Sequence, residues 1–440
     1  AGSAILMDAD TGAILYAKNI HQQEYPASTT KILTTLIASE RCSMDEIVDF
    51  SYDAVHDIDP GSNHIAIDPG EQLTMEECLN AILIRSANEV SFAVAEHISG
   101  TTWQDFAPIM NERAKELGCV DSNFVNPNGL PNEDHYTSAY DLAMIGRAFF
   151  ANEALCKMTM THMLHILPSE RQPDDIMEVN KMELIPGGKY AYPYLVGCKT
   201  GYTDVARSTL VSCAEKDGMK LICVVMKDEN PNYYEDTITL FDYGFSNFQR
   251  VNISQTETKY NIENAGSFYS GNDIFGNSKP ILELNQTDSI TLPNTITFQD
   301  AVSSISYDNT EPGQVAVITY TYNDVVLGTA SLDFTAAEKG SSVFRENTAE
   351  TTESAEESGA TDETQSGTTT TEADNTETTE TAGDNTGNNG GIPTAAQETS
   401  PEEENSTSGG PAVIFINVVK VFFCIVGIAV LIFLALLLRT

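Results

Sequence analysis

The sequence predicts an α+β body, then a small all-β domain, a disordered spacer and one transmembrane helix. Three observations carry that reading. Residues 1–250 mix helix-type and strand-type patterning, with antiparallel strands at both ends of the segment and helices between them. Residues 251–337 lose helical periodicity and read as strands and turns. Beyond them lie an acidic, Thr-rich stretch over 338–411 and an apolar run within 412–438. A chain of 440 residues has room for two or three domains at about 150 residues each.

Taken in order, Ala4–Met7 and Ala13–Tyr16 flank Asp10-Thr11-Gly12, which reads as a hairpin. Thr74 with Glu77 forms a capping box ahead of Cys78, Leu79, Ile82 and Leu83. A further helix runs from Trp103 through Phe106, Met110 and Leu117, with Gly118 just past its end. Three strands follow, Tyr194–Lys199, Thr209–Ala214 and Lys220–Met226, and Asp217-Gly218 turns the last two. In the β domain, which is expected to be a sandwich, Val315–Tyr322 and Val325–Leu327 flank Asn323-Asp324. No internal repeats occur.

The spacer carries 16 acidic residues between 341 and 410 against the single base Arg345, too polar a composition to bury a core. The run Val421–Leu438 holds 18 uncharged residues between Lys420 and Arg439. As a helix it spans roughly 27 Å, close to the ~30 Å hydrocarbon core. These features describe a folded body tethered above a lipid bilayer. Export of that body implies a secretory signal removed ahead of residue 1.

Charge narrows the function. With 64 acidic residues against 23 basic, the net charge is -41, which excludes nucleic acid as a partner because phosphate binding needs clustered Lys and Arg. The eight cysteines form no CxxC pair and no zinc spacing, and seven precede residue 251. They read as small buried hydrophobes with free thiols, which in an exported protein points to a reducing habitat. His162 and His165 lack a third ligand and read as a solvated helix face. No metal or cofactor is expected.

Three short motifs bear chemistry. In Ser28-Thr29-Thr30-Lys31, Ser28 opens a helix continued by Ile32, Leu33, Leu36 and Ile37, so Ser28 and Lys31 share one face. A serine hydroxyl is a poor nucleophile until a base takes its proton. A lysine serves once burial and a nearby cation have lowered its pKa from about 10.4. In Ser86-Ala87-Asn88, Ser86 is placed to relay a proton between lysines and Asn88 to hold a substrate amide. Lys199-Thr200-Gly201 ends a strand, where Lys199 and Thr200 would bind a substrate carboxylate and Gly201 would admit the substrate backbone. Cys198 should point to the opposite sheet face, into the core. Singly, each motif fits an ordinary cap, helix junction or turn. Their value lies in the order and spacing, with Ser86 following Ser28 by 58 residues and Lys199 following Asn88 by 111.

This ordered set resembles that of class A β-lactamases and penicillin-binding proteins. Over about residues 1–335 the chain is similar to the D-alanyl-D-alanine carboxypeptidases, low-molecular-mass penicillin-binding proteins of the serine peptidase type. Phe124–Pro131, His135-Tyr136-Thr137, Ala139–Ala143 and Leu240–Phe245 resemble further segments of that family. The resemblance implies an antiparallel sheet with helices on both faces, and a peptidoglycan stem peptide ending in D-Ala-D-Ala as substrate. It implies Ser28 as nucleophile, Lys31 as base, and an oxyanion held by the backbone N–H groups of Ser28 and Tyr202. β-Lactams would be covalent inhibitors, and the body would lie outside the cytoplasm on its C-terminal anchor.

Two departures stand out. Family members usually carry Ala-Gly where this chain has Ala206-Arg207, and no counterpart is found for an additional carboxylate-binding arginine of some members. The competing readings are a class A β-lactamase, a D,D-endopeptidase and a non-catalytic wall-binding surface protein. A class A enzyme would need a glutamate between the second and third motifs to activate a deacylating water. Here the Asn126–Leu130 stretch occupies that place.

Overall fold

A computed structural model describes residues 1–59, 61–260, 282–308 and 313–334. All of these fall within one compact unit. The expected spacer (338–411) and transmembrane helix (412–438) lie outside the described residues, among which no helix is long and apolar enough to cross a membrane.

Strands β1 (Ser3–Asp8) and β2 (Ile14–Lys18) form the expected hairpin. A single 3₁₀ turn, Ala27–Thr30, leads into α1 (Lys31–Arg41), so Ser28 sits in the tight turn ahead of the α-helix. The short elements β3 (Ile47–Asp49), α2 (Tyr52–His56) and β4 (Gln72–Thr74) precede α3 (Met75–Asn80). The reciprocal Thr74–Glu77 capping box opens α3. One π-helical turn, Ala81–Arg85, prolongs it and stops at Ser86, which lies in the left-handed region at φ 62°. Next come α4 (Asn88–Ser99), α5 (Phe106–Glu116), α6 (Ala139–Ala151) and α7 (Glu153–Met160).

The hairpin β5 (Met163–Ile166) and β6 (Ile176–Val179) corrects one expectation: His165 is on an exposed strand, not a helix face, and is bonded to Asp175 at 2.7 Å. The three expected strands are longer than read, as β7 (Leu195–Thr203), β8 (Arg207–Lys216) and β9 (Met219–Asp228). Lys199-Thr200-Gly201 therefore lies within β7 rather than at its end. The sheet order is β2-β1-β9-β8-β7, antiparallel throughout, with β7 an edge.

Period-two alternation sorts the sheet's side chains to two cores. Ile5, Met7, Val211, Cys213, Ile222 and Val224 join the helices α1, α4 and α6 on one face. On the other, Ala4, Leu6, Cys198, Leu210, Leu221 and Cys223 pack with Phe241 of α8 (Asn232–Asn247). The expectation of helices on both faces is met, and Cys198 is core as read. All seven cysteines among the described residues are free.

After α8 come β10 (Phe248–Asn252), the single turn α9 (Ile253–Thr256), β11 (Leu282–Leu284), β12 (Ser289–Pro293), β13 (Val302–Ser306), β14 (Gln314–Tyr322) and β15 (Val325–Phe334). A pair β10-β12 and a sheet β11-β15-β14-β13 surround an apolar cluster that includes Ile290, Ile318, Tyr320 and Leu327. Asn323 and Asp324 both take positive φ, the two-residue turn that strand twist favours. Thr291 of β12 donates to Asp8 at 2.9 Å, tying this region to the first hairpin.

Candidate active site

Every hydrogen-bonding position of Lys31 is used. From the first turn of α1 its Nζ lies 3.1 Å from Ser28 Oγ, 2.7 Å from Asn88 Oδ1 and 2.6 Å from the carbonyl oxygen of Asn128. The side chain is fully buried. Burial, then the Lys199 charge, hold its pKa well below the ordinary value, with Glu89 opposing in part. Of the three neighbours, two are carbonyl oxygens that only accept. A neutral Lys31 therefore gives its two N–H bonds to Asn88 and Asn128 and leaves its lone pair for the Ser28 hydroxyl. That arrangement makes the amine a base for one proton, the proton on Ser28.

Ser28 is held by the turn that carries it. Thr29 Oγ1 donates to the Pro26 carbonyl at 2.7 Å, and Thr209 Oγ1 of β8 donates to the same oxygen at 3.0 Å. Ala27, just before the serine, takes φ 51°. Two non-glycine residues in the left-handed region, Ala27 and Ser86, thus flank the reacting groups, a strain of roughly 1–3 kcal/mol each that the packing must impose.

Lys199 lies on the other side of the cleft. Its Nζ donates to Ser86 Oγ at 3.1 Å and to the Thr200 carbonyl at 3.0 Å. Burial lowers its pKa to about 8. Ser86 thus touches Lys199 and makes no direct bond to Lys31 among the described residues, so the expected relay between the two lysines has its direct contact on one side. The Asn88 side-chain carbonyl oxygen is taken by Lys31, while the residue itself lines the cavity. A Cβ on Gly201 would stand 2.8 Å from the Ser28 nitrogen, 3.0 Å from Ala27 Cβ and 2.5 Å from Thr209 Oγ1. The missing side chain admits the nucleophile's turn.

Ser28, Ser86, Asn88, Lys199, Thr200, Gly201 and Tyr202 all line one open cavity of about 670 Å³, with Lys31 beneath its floor. Arg207 and Glu229 stand on the rim, joined by two contacts of 2.9 and 2.6 Å. The Arg207 left unassigned by sequence is therefore one half of an exposed ion pair. Glu229 follows the third motif and faces Arg207, unlike the glutamate a class A β-lactamase requires.

Asn128 and Gly129 were not singled out for a role, although Asn126-Pro127-Asn128-Gly129 is a strong turn signal. Asn126 Oδ1 accepts from the Gly129 N–H at 2.7 Å, and Thr34 of α1 donates to the Pro127 carbonyl at 2.6 Å. These bonds aim the Asn128 carbonyl at Lys31. His135 braces the same wall: Nδ1 accepts from the Val125 N–H, so Nε2 carries the proton and donates to Thr30 Oγ1 at 2.9 Å. Burial, then Lys31, push its pKa to about 3, so the ring is neutral. Glu89 was missed as well; its carboxylate accepts from the Ile65 N–H at 2.6 Å behind the cavity wall.

A serine with a buried lysine base, set against the edge strand of an antiparallel sheet that presents a second buried lysine, defines an active-serine acyl hydrolase of the penicillin-binding type. The chain belongs to the D-alanyl-D-alanine carboxypeptidase family of S11 peptidases, whose family model matches residues 1–230. It is 37% identical over 252 residues to D-alanyl-D-alanine carboxypeptidase DacF of Bacillus subtilis, covering 57% of this chain and 63% of that protein. It is 32% identical to DacB2 of Mycobacterium tuberculosis, covering 55% of this chain and 81% of that one. Among solved structures, penicillin binding protein 6B of Escherichia coli superposes with a TM-score of 0.54 at 26% identity, over 75% of this chain and 94% of that one.

Proposed function

We propose that this chain is a serine-type D-alanyl-D-alanine carboxypeptidase, removing the terminal D-alanine from peptidoglycan stem pentapeptides. The observation that carries the reading is the Lys31 amine, its two N–H bonds directed at carbonyl oxygens and its third position at Ser28 Oγ. Ser28 oxygen attacks the carbonyl carbon between the two D-alanines as its proton passes to Lys31. The backbone N–H groups of Ser28 and Tyr202 hold the oxyanion, each such donor contributing roughly 2.7–4 kcal/mol. The leaving D-alanine amine takes up the proton that Lys31 accepted, Lys199 and Thr200 hold its carboxylate, and water hydrolyses the Ser28 ester. A β-lactam forms the same ester and stalls there.

Release of D-alanine from a pentapeptide, measured for the parent and for Ser28→Ala, tests the proposal; undiminished release by Ser28→Ala would overturn it. Intact mass after brief penicillin exposure, with mapping of the adduct to Ser28, tests the acyl step separately. Rapid penicillin turnover would favour the β-lactamase reading, and cleavage of cross-linked dimers in preference to pentapeptide would favour the endopeptidase.

The β segment after residue 250 is proposed as a separate sandwich module. The body is proposed to stand outside the cell membrane on residues 412–438, supported by the uncharged run Val421–Leu438 and the polar spacer ahead of it. Membrane fractionation of the full chain and of a form ending at residue 411 tests the anchor: only the full chain should sediment with membranes.

A further inference from the structure

A second group of reactive side chains gathers at the far ends of the two helices that begin in the active site. Cys42 caps the C-terminus of α1, Glu46 lies in the turn before β3, and His97 is in the last turn of α4. One donor atom from each, a thiol sulfur, a carboxylate oxygen and an imidazole nitrogen, lies within 4.8 Å of the other two. The carboxylate is already oriented. Its Oε1 accepts from the Ser43 N–H at 2.6 Å, leaving Oε2 facing His97 Nε2 at 3.0 Å.

A plain ion pair accounts for Glu46 and His97 but not for the thiol beside them. Cys42 is only partly buried and makes no disulfide. Its Sγ makes no hydrogen bond among the described residues. Sulfur, imidazole and carboxylate together suit a borderline-soft ion, unlike the all-oxygen sets of calcium or magnesium. A tetrahedral ion about 2.0–2.3 Å from each donor keeps the donors under about 4 Å apart, so side-chain rotation is enough to close the present spread. The helix C-termini on which Cys42 and His97 sit present unpaired carbonyls and a partial negative charge, which favours a cation.

We propose that Cys42, Glu46 and His97 bind one zinc-type divalent ion, with water as a fourth ligand. On binding, the thiol proton and the Nε2 proton that faces Glu46 leave to solvent, and the sulfur, Nε2 and carboxylate oxygen each form a bond to the ion, with the remaining imidazole proton on Nδ1. The ion clamps the C-terminal ends of α1 and α4, whose N-terminal ends carry Lys31 and Asn88, bonded at 2.7 Å. It acts on stability, because a ligand held by the folded state alone shifts unfolding by mass action.

The test uses the full chain, freed of metal under reducing conditions and titrated with cobalt(II) and then zinc. One equivalent of cobalt should produce a thiolate-to-cobalt absorption band that zinc removes, and zinc should raise the Tm by several degrees. Cys42→Ser and His97→Ala should each lose the band and the Tm gain while Ser28 is still acylated by a β-lactam in metal-free buffer. Because either variant can misfold, alkylation of the parent offers a second readout, in which zinc should protect Cys42 from iodoacetamide in peptide maps. No band in the parent, a band that persists in Cys42→Ser, or unprotected Cys42 would each overturn the proposal, and none bears on the carboxypeptidase reading.

Discussion

Gly201 of β7 and Ser28 are packed so closely that a Cβ on the glycine would stand 2.8 Å from the serine nitrogen. Two backbones meet there with no room between them, which brings the serine's N–H to the edge strand that also carries Tyr202. Substitution Gly201→Ala should push the Ala27–Thr30 turn off β7 and misplace that N–H. Removing one oxyanion donor typically costs roughly 10²–10³ in rate, and a comparable fall in β-lactam acylation is expected. The check is the acylation rate beside the Tm: a variant that loses little stability yet acylates at the parental rate would refute the packing argument.

Lys31 illustrates how burial favours a neutral amine. Its amine is fully enclosed, faces two acceptor-only carbonyls and lies near another cation, so the neutral form is favoured. Lys31→Gln keeps a polar group of similar reach but no proton acceptor of comparable strength. Loss of a positioned general base typically costs roughly 10²–10⁴, so D-alanine release should fall by that range while the protein remains folded. Single-turnover acylation of Lys31→Gln, followed by mass, reads this directly.

The pH profile follows from the second lysine. In the proposed mechanism Lys199 must be cationic to hold the substrate carboxylate, and its pKa is lowered to about 8 by burial. Cationic lysine is lost as pH rises through that value, so kcat/KM, which reports the free enzyme, should fall on the alkaline side with a midpoint near 8. In Lys199→Arg the side chain stays charged at any accessible pH. The alkaline limb should then move out beyond the measured range, even if the absolute rate drops. A limb unchanged in Lys199→Arg would assign it to another group.

What could be read from the residues divides along physical lines. The motif order singled out Ser28, Lys31, Ser86, Asn88 and Lys199, which the fold gathers at one cavity, because the proposed nucleophile, base and anion holder must be particular side chains. The hairpin at Asp10–Gly12, the Thr74 capping box and the Asn323-Asp324 turn were legible because short-range rules govern them. The Asn128 carbonyl was not, because a backbone acceptor carries no residue signature and its aim depends on loop geometry 97 positions away from Lys31. The same limit hid what Gly201 faces, since a strand pattern says nothing about which turn packs on it. His165 was misplaced because four residues of an exposed hairpin are too few for period to separate strand from helix.

Gly129 offers the most demanding test of how the lysine's wall is built. It adopts φ +83°, and a Cβ would lie 1.8 Å from the Ala27 carbonyl oxygen and 2.8 Å from Thr30 Oγ1. Alanine there meets two costs, a left-handed conformation of about 1–2 kcal/mol and a backbone clash of the overpacking kind, typically about 1–3 kcal/mol. Gly187 supplies the comparison, with φ +86° and open space around its would-be Cβ. Gly187→Ala should therefore bear the conformational cost alone and keep full acylation. Gly129→Ala should lose more stability and, by shifting the loop that presents the Asn128 carbonyl, much of its acylation rate as well. Denaturant midpoints and acylation rates for the two variants, measured together, separate the terms: equal losses in both would mean that the contact with Ala27 has no part in holding the Lys31 site.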